Sequence, residues 1–225
     1  MHKTQKQIIK KLLENKRATY TQLKPKNIEG NVFIYHLKSL IKNDYISKNN
    51  KIYSLTPKGK HLVDRLSLDN LNERIQPTIV TTIILEDKGK YLLYKRKKQP
   101  FFDHICFPYG KIHLEERILE AASRELFEKS GLKADLKYKG HVYLTIHDET
   151  ELVSNMLCHV FSGKNISGEI RTDYSSGQCF WDKLENFPKI KILPGVTQMA
   201  KLLKTKNKEM FFEEYFLNTT DEDDL

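Results

Sequence analysis

The sequence predicts an α+β protein in two parts, a basic helical region followed by a region rich in strands. Apolar residues recur at helical spacing through the first 65 residues. After residue 77, short β-prone runs dominate and are interrupted by one strongly helical segment at 116–130. Positive charge is concentrated in the first part, where 15 Lys and Arg stand against 4 Asp and Glu in residues 1–65. These differences predict two domains with different partners.

The charge and composition exclude several classes of protein. Residues 1–65 sum to +11 within a total of +9, so the remaining 160 residues sum to −2. A basic block of domain size favours contact with a polyanion such as DNA. Hydrophobic residues make up 39% of the chain, and no apolar run approaches the roughly 20 residues that span a bilayer. The charged N-terminus lacks a signal peptide, and three widely spaced cysteines form no CxxC pair. We therefore expect a cytoplasmic protein with no membrane partner.

Residues 1–70 are predicted to form the first domain, built from helices and one hairpin. The helices follow from apolar periodicity, and the hairpin follows from two β-prone runs around an Asn-Asn pair. In chain order, these are a helix at 4–15, a short helix at YTQL, a helix at 30–43, the strands YIS and KIYSL, and a helix with Thr56 as its N-cap and Pro57 at its first position. The third helix has an apolar stripe from Val32 to Ile41 and is expected to be capped near Asn31.

The segment YHLKSLIKNDYISKNNKIYSLTPKGKHL resembles the winged helix-turn-helix domains of bacterial and archaeal regulators. The resemblance implies that helix 30–43 is a recognition helix and that residues 48–51 are the tip of a wing. Contacts to nucleic acid would then come from Tyr35, Lys38, Lys42, Lys48 and Lys51. Two alternatives remain open: these lysines form a solvated face, or the domain serves to make a homodimer.

The rest of the chain divides into a linker, a second domain and a tail. Residues 71–77 are predicted to be a linker, and residues 78–205 are predicted to hold β-rich runs with helices at 116–130 and 195–205. Residues 206–225 form an aromatic and acidic tail. A short docked helix and a free tail both remain open for this last segment.

The segment FPYGKIHLEERILEAASRELFEKSGL, residues 107–132, carries the chemistry. Gly110 is followed after five residues by Glu116 and after seven more by the pair Arg124-Glu125, and Glu128 and Gly131 follow. This spacing resembles the Nudix signature, Gly-x5-Glu-x7-Arg-Glu-aliphatic-x-Glu-Glu-x-Gly-aliphatic. The fixed positions match except for the second Glu of the Glu-Glu pair, which is Lys129. The resemblance covers residues 78–205 and implies a Nudix-type α/β/α sandwich with a mixed sheet.

The residue types in this segment suit pyrophosphate cleavage. The reaction requires a divalent cation to neutralise phosphate oxygens and activate water, and hard cations prefer carboxylate oxygens. Residues three and four apart share a helix face, so Glu125, Glu128 and position 129 project toward one point. Gly110 permits a turn whose carbonyl can join the metal shell. The opposite helix face is expected to pack on the sheet through Leu119, Ala122 and Leu126.

The Nudix resemblance also implies a role for each matching residue. Mg²⁺ or Mn²⁺ would be held by Gly110, Glu116, Glu125 and Glu128. The catalytic residues would be Glu125, Glu128 and Arg124, the arginine bracing the glutamates. Arg96, Tyr109 and Lys129 would contact the substrate, a nucleoside diphosphate derivative.

Lys129 is the one departure that bears on activity. With a third glutamate the trio would carry a formal charge of −3, whereas Glu125, Glu128 and Lys129 sum to −1. Two orientations of the lysine are open. Pointing outward, it would leave Asp148, Glu149 or Glu151 to supply a replacement ligand. Pointing inward, its ammonium would weaken or abolish metal binding and contact the pyrophosphate directly.

Three functions fit these observations. The first is a metal-dependent Nudix hydrolase positioned or regulated by its basic domain. The second is a transcriptional regulator whose weakened Nudix domain senses a nucleotide such as an ADP-ribose derivative. The third is an RNA-directed enzyme that attacks the 5′ end of a transcript. The intact glutamates favour the first, while Lys129 and the basic block favour the second.

Overall fold

The computed structural model describes residues 1–67, 69–171, 176–206 and 210–219. They form two compact units, Met1–Gln76 and Pro77–Leu225. The predicted linker at 71–77 differs from this division, because Leu71 is buried in the core of the first unit. Leu66 also pairs with Glu73 in an isolated antiparallel bridge. Burial of the apolar side chain of Leu71 removes it from water and draws the segment into the first unit.

The first unit combines helices with a small antiparallel sheet. Within its described residues the elements are α1 (Lys3–Glu14), β1 (Ala18–Thr19), α2 (Tyr20–Leu23), α3 (Gly30–Lys42), β2 (Ile46–Asn49), β3 (Ile52–Leu55) and α4 (Pro57–Asp64). The strands lie in the order β1-β3-β2. Asn50 and Lys51 both have positive φ, of 46° and 68°, so they form the tight turn of the predicted hairpin.

Two predicted helix caps have different outcomes. The hydroxyl of Thr56 accepts the N–H of Gly59 at 3.0 Å and caps α4, as predicted. The cap expected near Asn31 is wrong, because α3 already begins at Gly30 and its N-cap Glu29 makes no side-chain hydrogen bond. The apolar stripe is also narrower than predicted: Val32 is 42% exposed. The core takes the next members of the stripe, Phe33, Leu37 and Leu40.

The second unit contains two sheets and two longer helices within its described residues. The elements are β4 (Thr78–Ile84), β5 (Glu86–Asp87), β6 (Lys90–Arg96), β7 (Ile105–Cys106), β8 (Tyr109–Lys111), α5 (Ile118–Ser130), β9 (Lys133–Asp148), β10 (Glu151–Ser167), β11 (Gly177–Asp182), α6 (Val196–Thr205) and β12 (Phe211–Asn218). Both helices contribute to one hydrophobic core with the strands. No helix in the described ranges is long and apolar enough to cross a membrane.

The larger sheet is mixed, as predicted. Its order is β12-β9-β10-β4-β8. Strand β10 runs parallel to β4, and β12 runs parallel to β9. The pairs β9–β10 and β4–β8 are antiparallel. The smaller sheet has the order β11-β6-β5, with β7 paired to β6. This α+β arrangement with a mixed sheet brings β8, and with it Gly110, next to β4.

Residues 211–218 belong to this sheet and do not form the predicted tail. Strand β12 pairs in parallel with β9 from Phe211 opposite Gly140 to Asn218 opposite His147. The short helix and the free tail are therefore both wrong for these residues. The physical reason is alternation: Phe211 is 5% exposed while Phe212 is 60% exposed, a period of two that suits a half-buried strand. Residues 207–209 and 220–225 of the predicted tail lie outside the described residues.

Helix α5 presents the motif residues on a firmly packed element. Ala121, Ala122 and Leu126 are buried, whereas Leu119 is 52% exposed and is not part of the packed face as predicted. Gly131 ends the helix in the left-handed conformation at φ 79°, and its N–H donates to Phe127 at 2.8 Å. Gly131 therefore terminates α5 immediately after the motif residues.

Candidate active site

Gly110 and Glu125 meet at the centre of the candidate site. Gly110 lies on β8, opposite Thr81 of β4. A Cβ atom added at Gly110 would lie only 1.8–2.1 Å from the carboxylate atoms of Glu125. Glu125 is 8% exposed, so its carboxylate is buried against the backbone of this glycine. The structure thus gives a steric reason for glycine here that sequence reasoning missed, since a residue with a Cβ would require this carboxylate to move.

Arg124 gathers the three glutamates of the motif. Its Nε and Nη2 donate to the two oxygens of Glu116 at 2.7 and 2.9 Å. Its Nη1 donates to Glu125 at 2.7 Å and to Glu128 at 3.1 Å. The planar guanidinium matches the paired oxygens of a carboxylate, so one arginine fixes three acidic groups. The predicted bracing role of Arg124 rests on this geometry.

Glu116 is held as an anion. Hydrogen bonds from Arg124 and from the backbone N–H of His113 lower the pKa of Glu116 to about 2. The same contact with Glu116 raises the pKa of Arg124. Nη2 of Arg124 also donates to the backbone carbonyl of Lys111 at 3.1 Å, which ties α5 to the end of β8. Arg124 and Glu116 therefore form a clamp that joins the loop before α5, the helix itself and the strand that carries Gly110.

Lys129 points inward. Its Nζ lies 3.6 Å from Oε2 of Glu125, and its side chain is 20% exposed. The ammonium also lies 4.9 Å from the centre of the Tyr94 ring. The outward orientation is therefore wrong, because a carboxylate and an aromatic face both attract the cation. Asp148, one of the suggested replacement ligands, accepts a hydrogen bond from Thr219 at 2.6 Å at the far end of the sheet.

Tyr94 is a residue of the site that sequence reasoning missed. It lies on β6, two residues before Arg96, and is 2% exposed. Side chains two apart on a strand leave the same face, so the spacing of Tyr94 and Arg96 in YLLYKR was the available signal. Burial raises the pKa of Tyr94, which keeps its phenol neutral beneath the ammonium of Lys129.

Arg96 and Tyr109 contact each other beside the glycine. Nη1 of Arg96 donates to the Tyr109 hydroxyl at 2.5 Å, and its Nε donates to the carbonyl of Pro100 at 3.0 Å. The guanidinium carbon lies 5.4 Å from the centre of the Tyr109 ring. Burial raises the pKa of Tyr109. The two residues are thus held in a fixed mutual geometry, Tyr109 on the strand that carries Gly110 and Arg96 on the strand that carries Tyr94.

The predicted metal ligands do not fit a divalent ion as arranged. Among the described residues, no group of three or more His, Cys, Asp or Glu is placed to hold a metal together. The reason is that both oxygens of Glu116 are bonded to Arg124, while the oxygens of Glu125 face Arg124 and Lys129. Glu128 has a 58% exposed side chain and, among the residues that the structure describes, forms an ion pair with Arg124. The side chains of Arg124 and Lys129 therefore face carboxylate oxygens that the resemblance implies are metal ligands.

The residues predicted to contact nucleic acid are exposed on the first unit. Tyr35 is 69% exposed on α3, and Lys38 and Lys42 are exposed on the same helix. Lys48 and Lys51 are exposed on the β2–β3 hairpin, where Nζ of Lys48 lies 5.8 Å from the centre of the Tyr53 ring. These five side chains are accessible to a ligand of the first unit.

Comparison with known proteins agrees with the fold of the second unit. The family model described as NUDIX domain matches residues 76–205. The "ADP-ribose pyrophosphatase" of Methanocaldococcus jannaschii is 27% identical over 144 residues, covering 62% of this chain and 84% of that protein. The "Oxidized purine nucleoside triphosphate hydrolase" of Mus musculus is 31% identical over 100 residues, covering 44% of this chain. The match spans only 62% of the mouse protein.

A solved structure agrees as well. The crystal structure of the mutator MutT protein from Bacillus halodurans superposes with a TM-score of 0.50 at 24% sequence identity, covering 62% of this chain and 90% of that one. At this identity the likeness concerns the fold alone. Because the family model matches more than half of the 225 residues and the motif residues converge on one site, the chain belongs to the Nudix hydrolase family.

Proposed function

We propose that the second unit binds and hydrolyses the pyrophosphate linkage of a nucleoside diphosphate derivative. The observation that carries this proposal is the cluster of Glu116, Glu125 and Glu128 around Arg124, set against Gly110. Cationic side chains for the phosphates stand beside it in Lys129 and Arg96. Such a juxtaposition of fixed carboxylates with phosphate-binding cations suits phosphoryl transfer to water.

Different residues of the site contribute to different parts of the proposed hydrolysis. Water adds to one phosphorus, the bridging P–O bond breaks, and the bridging oxygen leaves with the other phosphate. Glu128 is the most exposed of the three carboxylates and shares Nη1 of Arg124 with Glu125, so we assign to it the acceptance of the proton from the water. Glu125 is buried and bonded, so it positions Lys129 and Arg124 instead. Because Lys129 points into the site, we expect any Mg²⁺ or Mn²⁺ to bind weakly.

The test measures phosphate release from a panel of compounds with Mg²⁺, with Mn²⁺ and with a chelator. The relatives suggest ADP-ribose and oxidised purine nucleoside triphosphates, and 5′-triphosphorylated RNA tests the RNA-directed alternative. Glu128→Gln should lower the rate by roughly a hundredfold or more. Glu120→Gln, on the exposed first turn of the same helix, is the matched control and should stay within about twofold. No turnover of any compound would refute the proposal.

A second candidate is supported by the first unit. The order α1-β1-α2-α3-β2-β3 with sheet order β1-β3-β2 supports the proposal of a winged helix-turn-helix, and a net charge of +11 in residues 1–65 suits DNA. In this function the chain is a transcriptional regulator, and the second unit senses an ADP-ribose-like nucleotide. The inward Lys129 favours it, because weak metal binding slows turnover while leaving phosphate binding intact.

Duplex binding at several salt concentrations, with and without ADP-ribose, tests this second function. The double variant Lys38→Ala, Lys42→Ala should weaken binding at all sequences and reduce the salt dependence. Lys10→Ala with Lys16→Ala, exposed lysines elsewhere in the first unit, is the matched control. Absence of salt-sensitive duplex binding would remove the regulator. Sedimentation of the same samples tests the predicted homodimer.

A further inference from the structure

The ammonium of Lys129 is a cation built into the centre of the site. Its Nζ lies 3.6 Å from Oε2 of Glu125 and 4.9 Å from the centre of the Tyr94 ring. The side chain is 20% exposed, so most of it is packed and part of it remains in contact with solvent. Lys129 carries three N–H donors, and Glu125 engages one side of the group. The remaining donors are available to an incoming anion.

The position of the lysine is fixed by its neighbours. Glu125 cannot move toward β8, because Gly110 already lies in close contact with its carboxylate. It also cannot turn away without losing the 2.7 Å hydrogen bond from Arg124. Lys129 follows Glu125 by four residues on α5, which places both side chains on the same helix face. The carboxylate therefore acts as an anchor for the ammonium.

A divalent cation at Glu125 would meet two fixed positive charges. Arg124 faces one oxygen of Glu125 and Lys129 faces the other. Like charges a few ångströms apart in a partly buried site repel strongly, and the repulsion doubles for a divalent ion. Arg96 adds a third cation on the strand that carries Tyr94, two residues further along. The same charges attract a polyphosphate.

We infer that Lys129 is a resident cation that binds the phosphate oxygens of a pyrophosphate-containing ligand directly, so that this protein holds such a ligand without a divalent metal. The inference rests on the proposed function for its class of ligand, but it concerns binding and not turnover. The competing account is a purely structural Lys129–Glu125 pair that contributes nothing to the ligand.

The first experiment measures binding of inorganic pyrophosphate to the full chain by calorimetry in the presence of a chelator. The wild type should bind, Lys129→Met should lose affinity by roughly tenfold or more, and Lys129→Arg should restore most of it. Methionine keeps an unbranched stem in the packed position, and a thermal melt of each variant confirms folding. Lys133→Met, an exposed lysine at the start of β9, is the matched control and should bind like the wild type. Equal affinity of the wild type and Lys129→Met, or no binding by the wild type, would overturn the inference.

The second experiment measures Mn²⁺ binding by electron paramagnetic resonance, with no substrate present. Lys129→Met and Lys129→Glu should each bind Mn²⁺ at least roughly tenfold more tightly than the wild type. A wild type that binds Mn²⁺ as tightly as Lys129→Glu would contradict the inference. The two proposals fail separately. If the wild type binds pyrophosphate in the presence of a chelator but hydrolyses no compound, only the proposed hydrolase activity is refuted. If the wild type hydrolyses a compound and binds Mn²⁺ tightly, only the proposal of a resident cation is refuted.

Discussion

Replacing Gly110 by alanine tests whether the buried carboxylate of Glu125 is fixed against the backbone. The added Cβ would lie 1.8 Å from Cδ of Glu125 and 1.9 and 2.1 Å from its oxygens. Contact between such atoms requires about 3.5 Å, so the carboxylate must retreat by more than an ångström. That retreat breaks the 2.7 Å hydrogen bond from Arg124 and separates Glu125 from Lys129. The same single methyl group therefore disturbs both partners of Glu125.

The expected cost combines two contributions. Overpacking of a tight site costs about 1–3 kcal/mol, and loss of a charge-assisted hydrogen bond at a largely buried carboxylate costs about 1.5–3 kcal/mol. Movement of the surrounding side chains offsets part of these two costs, so they do not add in full. We therefore expect Gly110→Ala to lower the free energy of unfolding by about 2–4 kcal/mol. Urea unfolding followed by the fluorescence of Trp181 measures it, because this is the single tryptophan and it lies on β11 of the second unit.

A double-mutant cycle with Glu125→Ala provides the control. The three atoms nearest to the added Cβ all belong to Glu125, so the collision disappears once that side chain is truncated. In the Glu125→Ala background, Gly110→Ala should cost less than about 1 kcal/mol. An equal cost in both backgrounds would refute the steric argument and would assign the glycine to backbone conformation instead.

Three further predictions concern the strand, the clamp and its charge. Phe211→Ala should lower the free energy of unfolding by about 3–5 kcal/mol because the ring is buried. Phe212→Ala, at the exposed neighbouring position, should change it by less than about 1 kcal/mol. Equal urea midpoints of the two variants would argue against the strand β12. Arg124→Lys should lower the urea midpoint more than Arg117→Lys, the exposed arginine at the start of the same helix, because an ammonium cannot replace the paired bonds to Glu116. The pKa of Glu116 is lowered from 4.5 to about 2, so its stabilising contribution is present above pH 4.5 and is lost as the pH falls toward 2. The midpoints of wild type and Glu116→Gln should therefore converge on acidification, and a constant difference down to pH 2.5 would contradict the clamp.

The spacing of the motif was sufficient to bring its acidic residues together. Helix geometry alone places Arg124, Glu125 and Glu128 on adjacent turns, and the structure joins them by hydrogen bonds. What spacing cannot give is the direction of a long flexible side chain. Lys129 points inward because Tyr94 lies beneath it, and Tyr94 comes from β6, more than thirty residues earlier in the chain. Only the tertiary pairing of strand and helix decides that contact.

The last strand, β12, could not be predicted from the sequence for a related reason. The run FFEEYFLN mixes aromatic and acidic residues in a pattern that suits a helix, a strand or a tail. Its state is decided by the free edge of β9, which lies some seventy residues away in sequence and pairs with it in parallel. Parallel pairing leaves no local turn signal between the partners, unlike the β2–β3 hairpin, whose turn residues made it predictable.

The lysine at position 129, in place of the glutamate of the Nudix signature, has the electrostatic effect of one bound divalent cation. It changes the formal charge of the site by two units, which is the charge of one divalent cation. A site with glutamate and one bound metal and a site with lysine and no metal therefore attract a pyrophosphate with similar net charge. The two differ in chemistry, because a metal lowers the pKa of a bound water and an ammonium does not. If Lys129 is the resident cation proposed above, the substitution conserves phosphate binding while weakening the activation of water, and we expect binding and turnover to separate in this protein. Their ratio, measured on wild type and Lys129→Glu, decides between a hydrolase and a nucleotide sensor.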